Sequence, residues 1–274
     1  MNAESYIKDT MLSVVTQTTL QQKQGSLSYI IQDGQSTDNT LRIAREIKDQ
    51  FAHLTNIKIE IISEPDKGMY DALGKALSSL EDGDIYSYLN AGDLYSPHAF
   101  EIVAEIFMQK RARFVTGINT WYNEKGHITR TKLPFGYNRR LATKGFYGTL
   151  LPYIQQESTF WSGALNRKLD IDALKNYKLA GDYYLWKTFS MHEKLFVVSA
   201  WLAGFRIHEG QLSATQSEAY NAELTAISEE RNLFDYIHAL WDRILWELPE
   251  SLKLKYSKSI YSYDHQSQAY KPNV

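Results

Sequence analysis

Apolar and polar positions follow two periods along the first half of the chain. Apolar residues recur with helical spacing in four segments, which predict helices at 3–16, 38–51, 68–80 and 97–110. Short apolar runs rich in β-branched and aromatic residues predict strands at 27–32, 57–62 and 85–89. Helices and strands therefore alternate, which favours an α/β fold with a mostly parallel sheet flanked by helices.

The pattern is less regular in the second half. Further strands are predicted at 114–121, 157–162 and 195–201, and further helices at 181–191 and 218–246. Residues 134–155 show no period, which is typical of a functional loop or lid. The polar end from Ser257 is expected to fray. We therefore divide the chain into a domain at 1–215 and a helical C-terminal extension at 216–274.

Composition narrows the class of protein. The 274 residues carry a net charge of −2 and form no basic stripe, so the sequence predicts no nucleic-acid partner. There is no cysteine, which excludes disulfides and thiolate metal ligands. No apolar run approaches the roughly 18–20 residues that span a bilayer, and residues 1–10 lack the apolar core of a signal peptide. A cytoplasmic location is therefore expected.

Carboxylates follow two of the predicted strands. Asp33 comes after the first strand, and Asp93 follows the third. Because ligands bind at the carboxyl ends of the strands in open α/β sheets, we expect both side chains to border one cleft. Each also has a local interpretation: Asp33 can form an Asx turn, and the Asn-Ala-Gly-Asp sequence at 90–93 is suited to an ordinary polar turn.

Three segments together carry a resemblance to a known family. They are Asp-Gly-Gln-Ser-Thr-Asp at 33–38, Ser-Glu-Pro-Asp-Lys-Gly-Met-Tyr-Asp at 63–71 and Leu-Asn-Ala-Gly-Asp at 89–93. In this order and spacing they resemble the inverting family 2 glycosyltransferases of GT-A fold, of the type that builds bacterial polysaccharides and other cell-surface glycans. The resemblance covers residues 1–215 and continues through 155–160, 179–183 and 205–213.

The resemblance implies a reaction and its partners. Such enzymes transfer a sugar, with inversion, from a nucleoside-diphosphate donor such as a UDP-sugar to a hydroxyl group of a glycan or a lipid-linked acceptor. A divalent cation, Mn²⁺ or Mg²⁺, neutralises the departing diphosphate through oxygen ligands. The resemblance also implies an enzyme that works in the cytoplasm or at the inner face of the membrane.

The resemblance further implies catalytic and metal-binding residues. Asp182, in Ala-Gly-Asp-Tyr before a predicted helix, stands at the position of the general base that takes the proton of the acceptor hydroxyl. An Asp at this place can also be a helix N-cap. Asp93 and His208 stand at positions that contact the metal ion or the diphosphate, although a lone histidine is often structural.

Donor and acceptor contacts are implied in the same way. The expected donor-binding residues are Asp33, Lys67, Asp71 and Asn90. Among them, the Asp33 carboxylate can accept hydrogen bonds from the nucleoside, and Lys67 can offer positive charge to a phosphate group beside a helix N-terminus. The candidates for facing the acceptor are Glu157 and the rings of Trp161, Tyr183 and Tyr184.

Two features depart from the family pattern. The family normally begins with a strand and a Thr-x-Tyr-Asn-like turn, whereas residues 1–4 resemble those just after that strand, so we expect a sheet without its first strand. Gly92 stands where the first acid of the metal motif often stands, which leaves Asn90 and Asp93. Both departures keep an alternative open, a non-catalytic nucleotide- or sugar-binding module that retains the fold.

An apolar stripe runs along the last predicted helices. Its members are Leu224, Ile227, Phe234, Ile237, Leu240, Trp241, Ile244 and Leu245. Such a stripe predicts packing on the domain or on a partner, for which a second copy of the chain is one candidate. The alternative is contact with a membrane surface, against which the net acidic charge of 218–250 argues mildly.

Overall fold

Helices and strands alternate along the first half of the chain in the computed structural model, which describes residues 1–80, 82–207 and 217–273. The helices are α1 (Ile7–Val15), α2 (Thr18–Gln21), α3 (Thr40–Gln50), α4 (Met69–Ser79), α5 (Ala99–Met108), α6 (Arg139–Thr143), α7 (Gly163–Asn166), α8 (Ile171–Leu174), α9 (Gly181–Ser190), α10 (Ser217–Ile227), α11 (Leu233–Trp246) and α12 (Glu250–Tyr256).

The strands form three sheets. They are β1 (Leu27–Asp33), β2 (Ile57–Ser63), β3 (Ile85–Tyr86), β4 (Leu94–Tyr95), β5 (Phe114–Thr116), β6 (Asn119–Tyr122), β7 (Ile128–Lys132), β8 (Thr159–Ser162), β9 (Phe196–Val198), β10 (Ala203–Arg206), β11 (Ile260–Asp264) and β12 (Ala269–Pro272). Their orders are β1-β2, β4-β10-β6-β7 and β12-β11-β9-β5-β8-β3.

The connections between strands explain their directions. β1 and β2 are parallel with Asp33 opposite Ser63, because α3 carries the chain back between them. β6 and β7 are antiparallel because a tight turn joins them, with Gly126 N–H donating to Asn123 O. The expected α/β fold is confirmed, and the sheets are mixed rather than purely parallel.

The segment expected as a loop or lid is part of the main core instead. It contains the short helix α6, and its side chains Leu141 and Phe146 are fully buried. They belong to the same cluster as Trp161 and Trp186. The segment had no clear period because its buried residues lie in turns and one short helix, where neither a helical nor a strand repeat applies.

The end of the chain is ordered rather than frayed. β11 and β12 form an antiparallel hairpin, and β11 joins the six-stranded sheet through parallel pairing with β9. Ile260 and Tyr261 are fully buried there. Residues 216–274 are therefore helical only in part. No helix within 1–80, 82–207 and 217–273 combines the length and apolarity that crossing a bilayer requires.

Buried polar contacts attach the C-terminal helices to the rest of the domain. Asp235 in α11 is fully buried and accepts from Arg140 Nε at 2.5 Å, with Lys144 Nζ at 3.0 Å. Lys253 in α12 is 1% exposed and donates to Leu133 O at 2.8 Å and to Trp246 O at 2.7 Å. The lysine thus satisfies two carbonyl groups that belong to different parts of the chain.

Replacing this lysine tests how strongly α12 is held. We expect Lys253→Met to lower the free energy of unfolding by about 2–4 kcal/mol, because two buried carbonyl groups lose their donor. Urea denaturation followed by tryptophan fluorescence measures the change. The control is Lys258→Met at an exposed lysine, which should change the free energy of unfolding little; equal effects of both substitutions would contradict the assignment.

Candidate active site

A cavity of about 550 Å³ lies between the sheets and the C-terminal helices. Tyr70 of α4 and Asn90 after β3 line it on the side of the expected donor site. The β6-β7 hairpin contributes Trp121 and Arg130, and the irregular segment 152–157 lines it from another side. The helices α9, α10 and α11 complete the lining with Asp182, Tyr220, Arg243 and Trp246. Aromatic rings and a few charged groups therefore surround the space, as in many ligand sites.

Asp182 faces this cavity from the first turn of α9. Its Oδ1 accepts from the Tyr183 N–H at 2.7 Å and from the Tyr220 hydroxyl at 3.3 Å. Burial raises the pKa of Asp182 to about 6, although hydrogen bonds from Tyr183, Tyr220 and Tyr70 oppose the shift. The carboxyl group is therefore ionised at neutral pH and still able to accept a proton, which is the property required of a general base.

The backbone before Asp182 is held by a residue from the C-terminal helices. The N-cap of α9 is Ala180, so Asp182 does not serve as the N-cap. The Glu223 carboxylate of α10 accepts from the N–H groups of Lys178, Leu179 and Ala180 at 2.6–2.8 Å. One acid thus satisfies three backbone donors at the start of the helix.

Gly181 permits a close contact at the same place. A Cβ atom at Gly181 would lie 2.4 Å from the Tyr70 ring. Any larger residue would therefore displace this ring, which is 2% exposed and lines the cavity beside Asp182. The Ala-Gly-Asp sequence has a glycine at this position because α9 packs directly on Tyr70.

Asp93 is almost fully buried, with 4% of its surface exposed. Its Oδ1 accepts from the Arg206 N–H at 2.9 Å, and its N–H donates to Asn90 O at 3.1 Å. Burial raises the pKa of Asp93 to about 7, against the hydrogen bond and the charge of Arg206. Asp93 therefore lies in the expected polar turn. The Arg206 hydrogen bond and charge offset only part of the cost of burying its carboxylate.

Backbone geometry explains the missing acid before Asp93. Gly92 has a φ of +121°, a conformation that residues with a side chain rarely adopt. Its N–H donates to the Thr10 hydroxyl at 2.9 Å, and that hydroxyl donates to Asp93 O at 3.0 Å. An acidic residue at 92 would strain this turn, so the turn presents the Asp93 carboxylate alone.

Glu157 is a second buried carboxyl group, close enough to Asp93 for the two to interact electrostatically. It lines the cavity, is 3% exposed, and its Oε1 has no hydrogen-bond partner within the described part of the chain. Burial raises the pKa of Glu157 well above its ordinary value, and the charge of Asp93 raises it further. Two carboxyl groups thus influence each other in a poorly solvated place, an arrangement that a hard cation would stabilise.

The described residues contain no group of three or more His, Asp and Glu side chains positioned for a metal ion. The two carboxyl groups that influence each other are Asp93, which does not line the cavity, and Glu157, which does. A pair fits a cation such as Mg²⁺, which is bound through one or two carboxylates and takes its remaining ligands from substrate phosphates and water. His208, expected as a metal contact, lies outside the described residues.

Asp33 is buried at the end of β1 but does not line the cavity. It accepts from the Ser36 N–H at 2.9 Å, from the Ser36 hydroxyl, and from the Ser63 hydroxyl at 2.8 Å. Burial alone would raise the pKa of Asp33, but these hydrogen bonds together hold it below the ordinary value. The local turn considered from the sequence is therefore present, and it fixes the carboxylate in the ionised form.

Of the other expected donor residues, Asn90 lines the cavity, whereas Lys67 and Asp71 do not. The Lys67 N–H donates to Asp71 Oδ2 at 2.9 Å, and this bond is the first of several that lower the pKa of Asp71. Lys178, which lines the cavity, donates to Lys67 O at 2.7 Å. The Asn90 amide donates to Gln156 Oε1 at 3.1 Å within the cavity lining. The start of α4 and the segment after β3 thus border the same space as Asp182.

None of the rings expected to stack on the acceptor lines the cavity, so that prediction was wrong. Trp161 is fully buried in the core, and Tyr183 is 3% exposed and donates its hydroxyl to Thr143 O. The Tyr184 hydroxyl contacts the Asp170 backbone. The rings that do line the cavity are Tyr70, Tyr88, Trp121, Tyr153, Phe205, Tyr220 and Trp246.

Sequence reasoning also missed polar residues that organise the site. Arg206 is 3% exposed, and its backbone N–H bonds to Asp93 while its guanidinium contacts Asp9 Oδ2 at 3.2 Å. The sequence signal for Arg206 was its position in segment 205–213, which carries part of the resemblance. Glu223 and Tyr220 had none, because they come from a helix outside the segments that carried the resemblance.

Known proteins resemble this chain in sequence family and in fold. The model of the family described as glycosyl transferase family 2 matches residues 1–171, more than half of the chain. No curated protein matches it in sequence.

Solved structures share the fold. S. aureus TarS 1–349 in complex with UDP-GlcNAc has a TM-score of 0.54 at 14% identity, over 92% of this chain and 67% of that one. The Pyrobaculum calidifontis mannosyltransferase PcManGT in complex with GDP-Man and Mn²⁺ has a TM-score of 0.57 at 13% identity, over 92% and 68%. This chain spans 66% of TarS 1–349 crystallised alone and 48% of a longer TarS. The fold is the expected GT-A fold.

Removing the buried charge of Asp182 should stabilise the protein at neutral pH. In the unfolded chain an Asp ionises near pH 3.9, whereas Asp182 in the folded protein keeps its proton up to about pH 6. Stability therefore falls as the pH rises between these values. We expect Asp182→Asn to raise the free energy of unfolding by about 1–3 kcal/mol above pH 6, and to have almost no effect near pH 4.

Urea denaturation at a series of pH values measures this difference. The control is Asp172→Asn, an exposed acid on α8, which should leave the pH dependence unchanged. A difference for Asp182→Asn that is the same at pH 4 and pH 8 would contradict the shifted pKa.

Proposed function

Because this chain belongs to glycosyl transferase family 2, we propose that it transfers a sugar from a nucleoside-diphosphate sugar to a hydroxyl group of a glycan or lipid-linked acceptor, with inversion at the anomeric carbon. The observation that carries the proposal is Asp182, a carboxylate with a pKa of about 6 in a cavity lined by aromatic rings. Aromatic faces suit sugar rings, and this carboxylate suits a hydroxyl group that must lose its proton.

Asp182 acts as the general base. The acceptor oxygen forms a bond to the anomeric carbon while the bond from that carbon to the diphosphate oxygen breaks. The bonding electrons leave with the diphosphate, and the proton of the acceptor hydroxyl moves to the Asp182 carboxylate. Tyr220 and the Tyr183 N–H hold this carboxylate in place through its Oδ1. A base near pKa 6 is ionised at neutral pH without being too weak to accept a proton.

The donor binds along the ends of β1, β2 and β3. The Asp33 carboxylate is ionised and fixed, so it can accept hydrogen bonds from a nucleoside. Lys178 lines the cavity and donates to the carbonyl of Lys67, so its ammonium group can neutralise a diphosphate there, and Lys67 lies on the adjacent loop. Among the structural neighbours, TarS binds UDP-GlcNAc and the mannosyltransferase binds GDP-Man. We take UDP as the first nucleotide to test.

A divalent cation, Mn²⁺ or Mg²⁺, would be held by Asp93 and Glu157. When bound, it neutralises the negative charge that develops on the departing diphosphate. The two carboxylates present hard oxygen ligands, and their burial leaves charge that a cation would compensate. Mn²⁺ accompanies the donor in the mannosyltransferase neighbour.

The acceptor enters between the β6-β7 hairpin and the C-terminal helices. Trp121, with the Arg130 guanidinium 4.8 Å from its ring centroid, forms one side of this space. Tyr153, Trp246 and Asp182 also line this space. We assign the product to polysaccharide biosynthesis for the cell envelope, carried out on the cytoplasmic side.

Substituting Asp182 separates catalysis from donor binding. Asp182→Asn should keep the affinity for UDP within about twofold and lower the turnover by about 10²–10⁴-fold, because only the base is lost. The wild-type turnover should fall as the pH drops below about 6, where Asp182 is protonated. UDP release from UDP-GlcNAc with a panel of glycan acceptors, and GDP release from GDP-mannose, provide the readout.

The control for this experiment is again Asp172→Asn, which should turn over like the wild type. Unchanged turnover in Asp182→Asn would remove the base assignment. UDP binding without turnover in the wild type, across all donors and acceptors, would favour the non-catalytic module instead.

The cation assignment is tested without any turnover. We expect Asp93→Asn and Glu157→Gln each to weaken Mn²⁺ binding by at least about tenfold in the presence of UDP, because each removes one oxygen ligand. Electron paramagnetic resonance of free Mn²⁺ measures the affinity. Asp84→Asn, at an exposed acid before β3, is the matched control. Wild-type affinity in Glu157→Gln would exclude Glu157 as a ligand.

A further inference from the structure

The helix α11 turns its apolar face away from the domain. Its outward side chains are Leu233, Phe234, Tyr236, Ile237, Leu240, Trp241 and Ile244, and each of them is between 44% and 78% exposed. A monomeric soluble protein seldom shows so many large apolar side chains together. The sequence predicted that the stripe packs on the domain or on a partner; Leu224 is buried in the domain, whereas these α11 residues form an exposed surface.

The exposed residues follow the heptad repeat of a helix that pairs with another helix. Leu233, Ile237, Leu240 and Ile244 are separated by four, three and four residues, so Leu occupies position d and Ile occupies position a. This spacing produces a narrow apolar seam along one side of a helix, as the a and d positions of a coiled coil do. Phe234 and Trp241 extend the seam at the adjacent position e.

The opposite side of the same helix attaches it to the domain. Asp235, Ala239 and Trp246 at positions f and c are buried, and Asp242 accepts from the Tyr147 hydroxyl at 2.8 Å. The ion pairs of Asp235 with Arg140 and Lys144 hold the orientation of the helix. The helix cannot turn its seam inward without breaking these contacts, so the seam stays on the outer surface of the domain.

We propose that the seam is covered by α11 of a second copy of this chain, in an antiparallel pair related by a two-fold axis. In an antiparallel pair, position d of one helix faces position a of the other. Leu233 then meets Ile244 of the second copy, and Ile237 meets Leu240. The same axis brings Phe234 opposite Trp241. A two-fold interface requires a self-complementary surface, and every apolar residue in this seam finds an apolar residue opposite.

The charges of the helix favour a protein partner over a lipid surface. Within Leu233–Trp246 there are two aspartates and one arginine. Helices that lie on anionic membranes carry many Lys and Arg residues on their polar face. Heptad spacing is also unnecessary for membrane contact, which needs only a broad apolar side.

Pairing would also support the cavity described above. Arg243 and Trp246 of α11 line the cavity, while Leu240 and Ile244 of the same helix lie in the seam. One helix therefore connects the dimer surface to the lining of the site. The pairing itself does not depend on the proposed reaction, and it can be tested on the protein without donor or acceptor.

Sedimentation velocity on the full chain is the first test. We expect the wild type to sediment as a particle of twice the 31.6 kDa chain mass. We expect Leu240→Glu to sediment as a monomer, because glutamate keeps the helix but places like charges in the seam. The control is Met108→Glu, an equally exposed apolar residue on α5, which should remain dimeric. An unchanged far-ultraviolet circular dichroism spectrum of Leu240→Glu would show that the variant is folded.

The absence of cysteine from the chain allows a second test. Ile237→Cys and Leu240→Cys chains carrying different tags should form a mixed disulfide on gentle oxidation, because these positions face each other in the antiparallel pair. Met108→Cys chains should form none. A monomeric wild type, absence of the mixed disulfide, or a monomer that sediments with phosphatidylglycerol vesicles would each overturn the proposal.

Discussion

The structure depends on placing carboxyl groups where little water reaches them. Burial raises the pKa of Asp182, Asp93 and Glu157, so each charge costs free energy that the fold has to offset. Hydrogen bonds from Tyr220 and from the Tyr183 N–H offset part of this cost at Asp182, and the Arg206 N–H does so at Asp93. The compensation is incomplete, and the remaining charge is available for a proton or a cation.

The C-terminal helices are part of the site rather than an appendage. Glu223 holds the backbone before Asp182, and Tyr220 bonds to its carboxylate. Trp246 lines the cavity, and its carbonyl accepts from the buried Lys253. The family model ends at residue 171, before any of these residues and before Asp182 itself. Residues beyond the matched part of the chain thus supply a large share of the cavity lining.

Two glycines show how backbone geometry limits the chemistry. Gly92 adopts a φ of +121° in the turn that presents Asp93, which is incompatible with the acid that often stands there. Gly181 lets α9 approach the Tyr70 ring, which positions Asp182 in the cavity. The motif has one acid fewer because Gly92 forms a tight turn. Glu157 lies close enough to Asp93 for the charge of Asp93 to raise the pKa of Glu157.

The sequence by itself determined the α/β class, the family and the strand end that carries Asp33, because these depend on local periodicity and on motifs contiguous in the chain. Asp93 does not end the predicted strand 85–89, since β3 stops at Tyr86 and Asp93 directly precedes β4. Only the tertiary structure decided that segment 134–155 is core, that the end of the chain pairs with β9, and that α11 points its apolar side outward. The partnership of Asp182 with Tyr220, and of Asp93 with Arg206, joins residues 38 and 113 positions apart. A local sequence pattern does not predict which distant groups will contact a buried carboxylate.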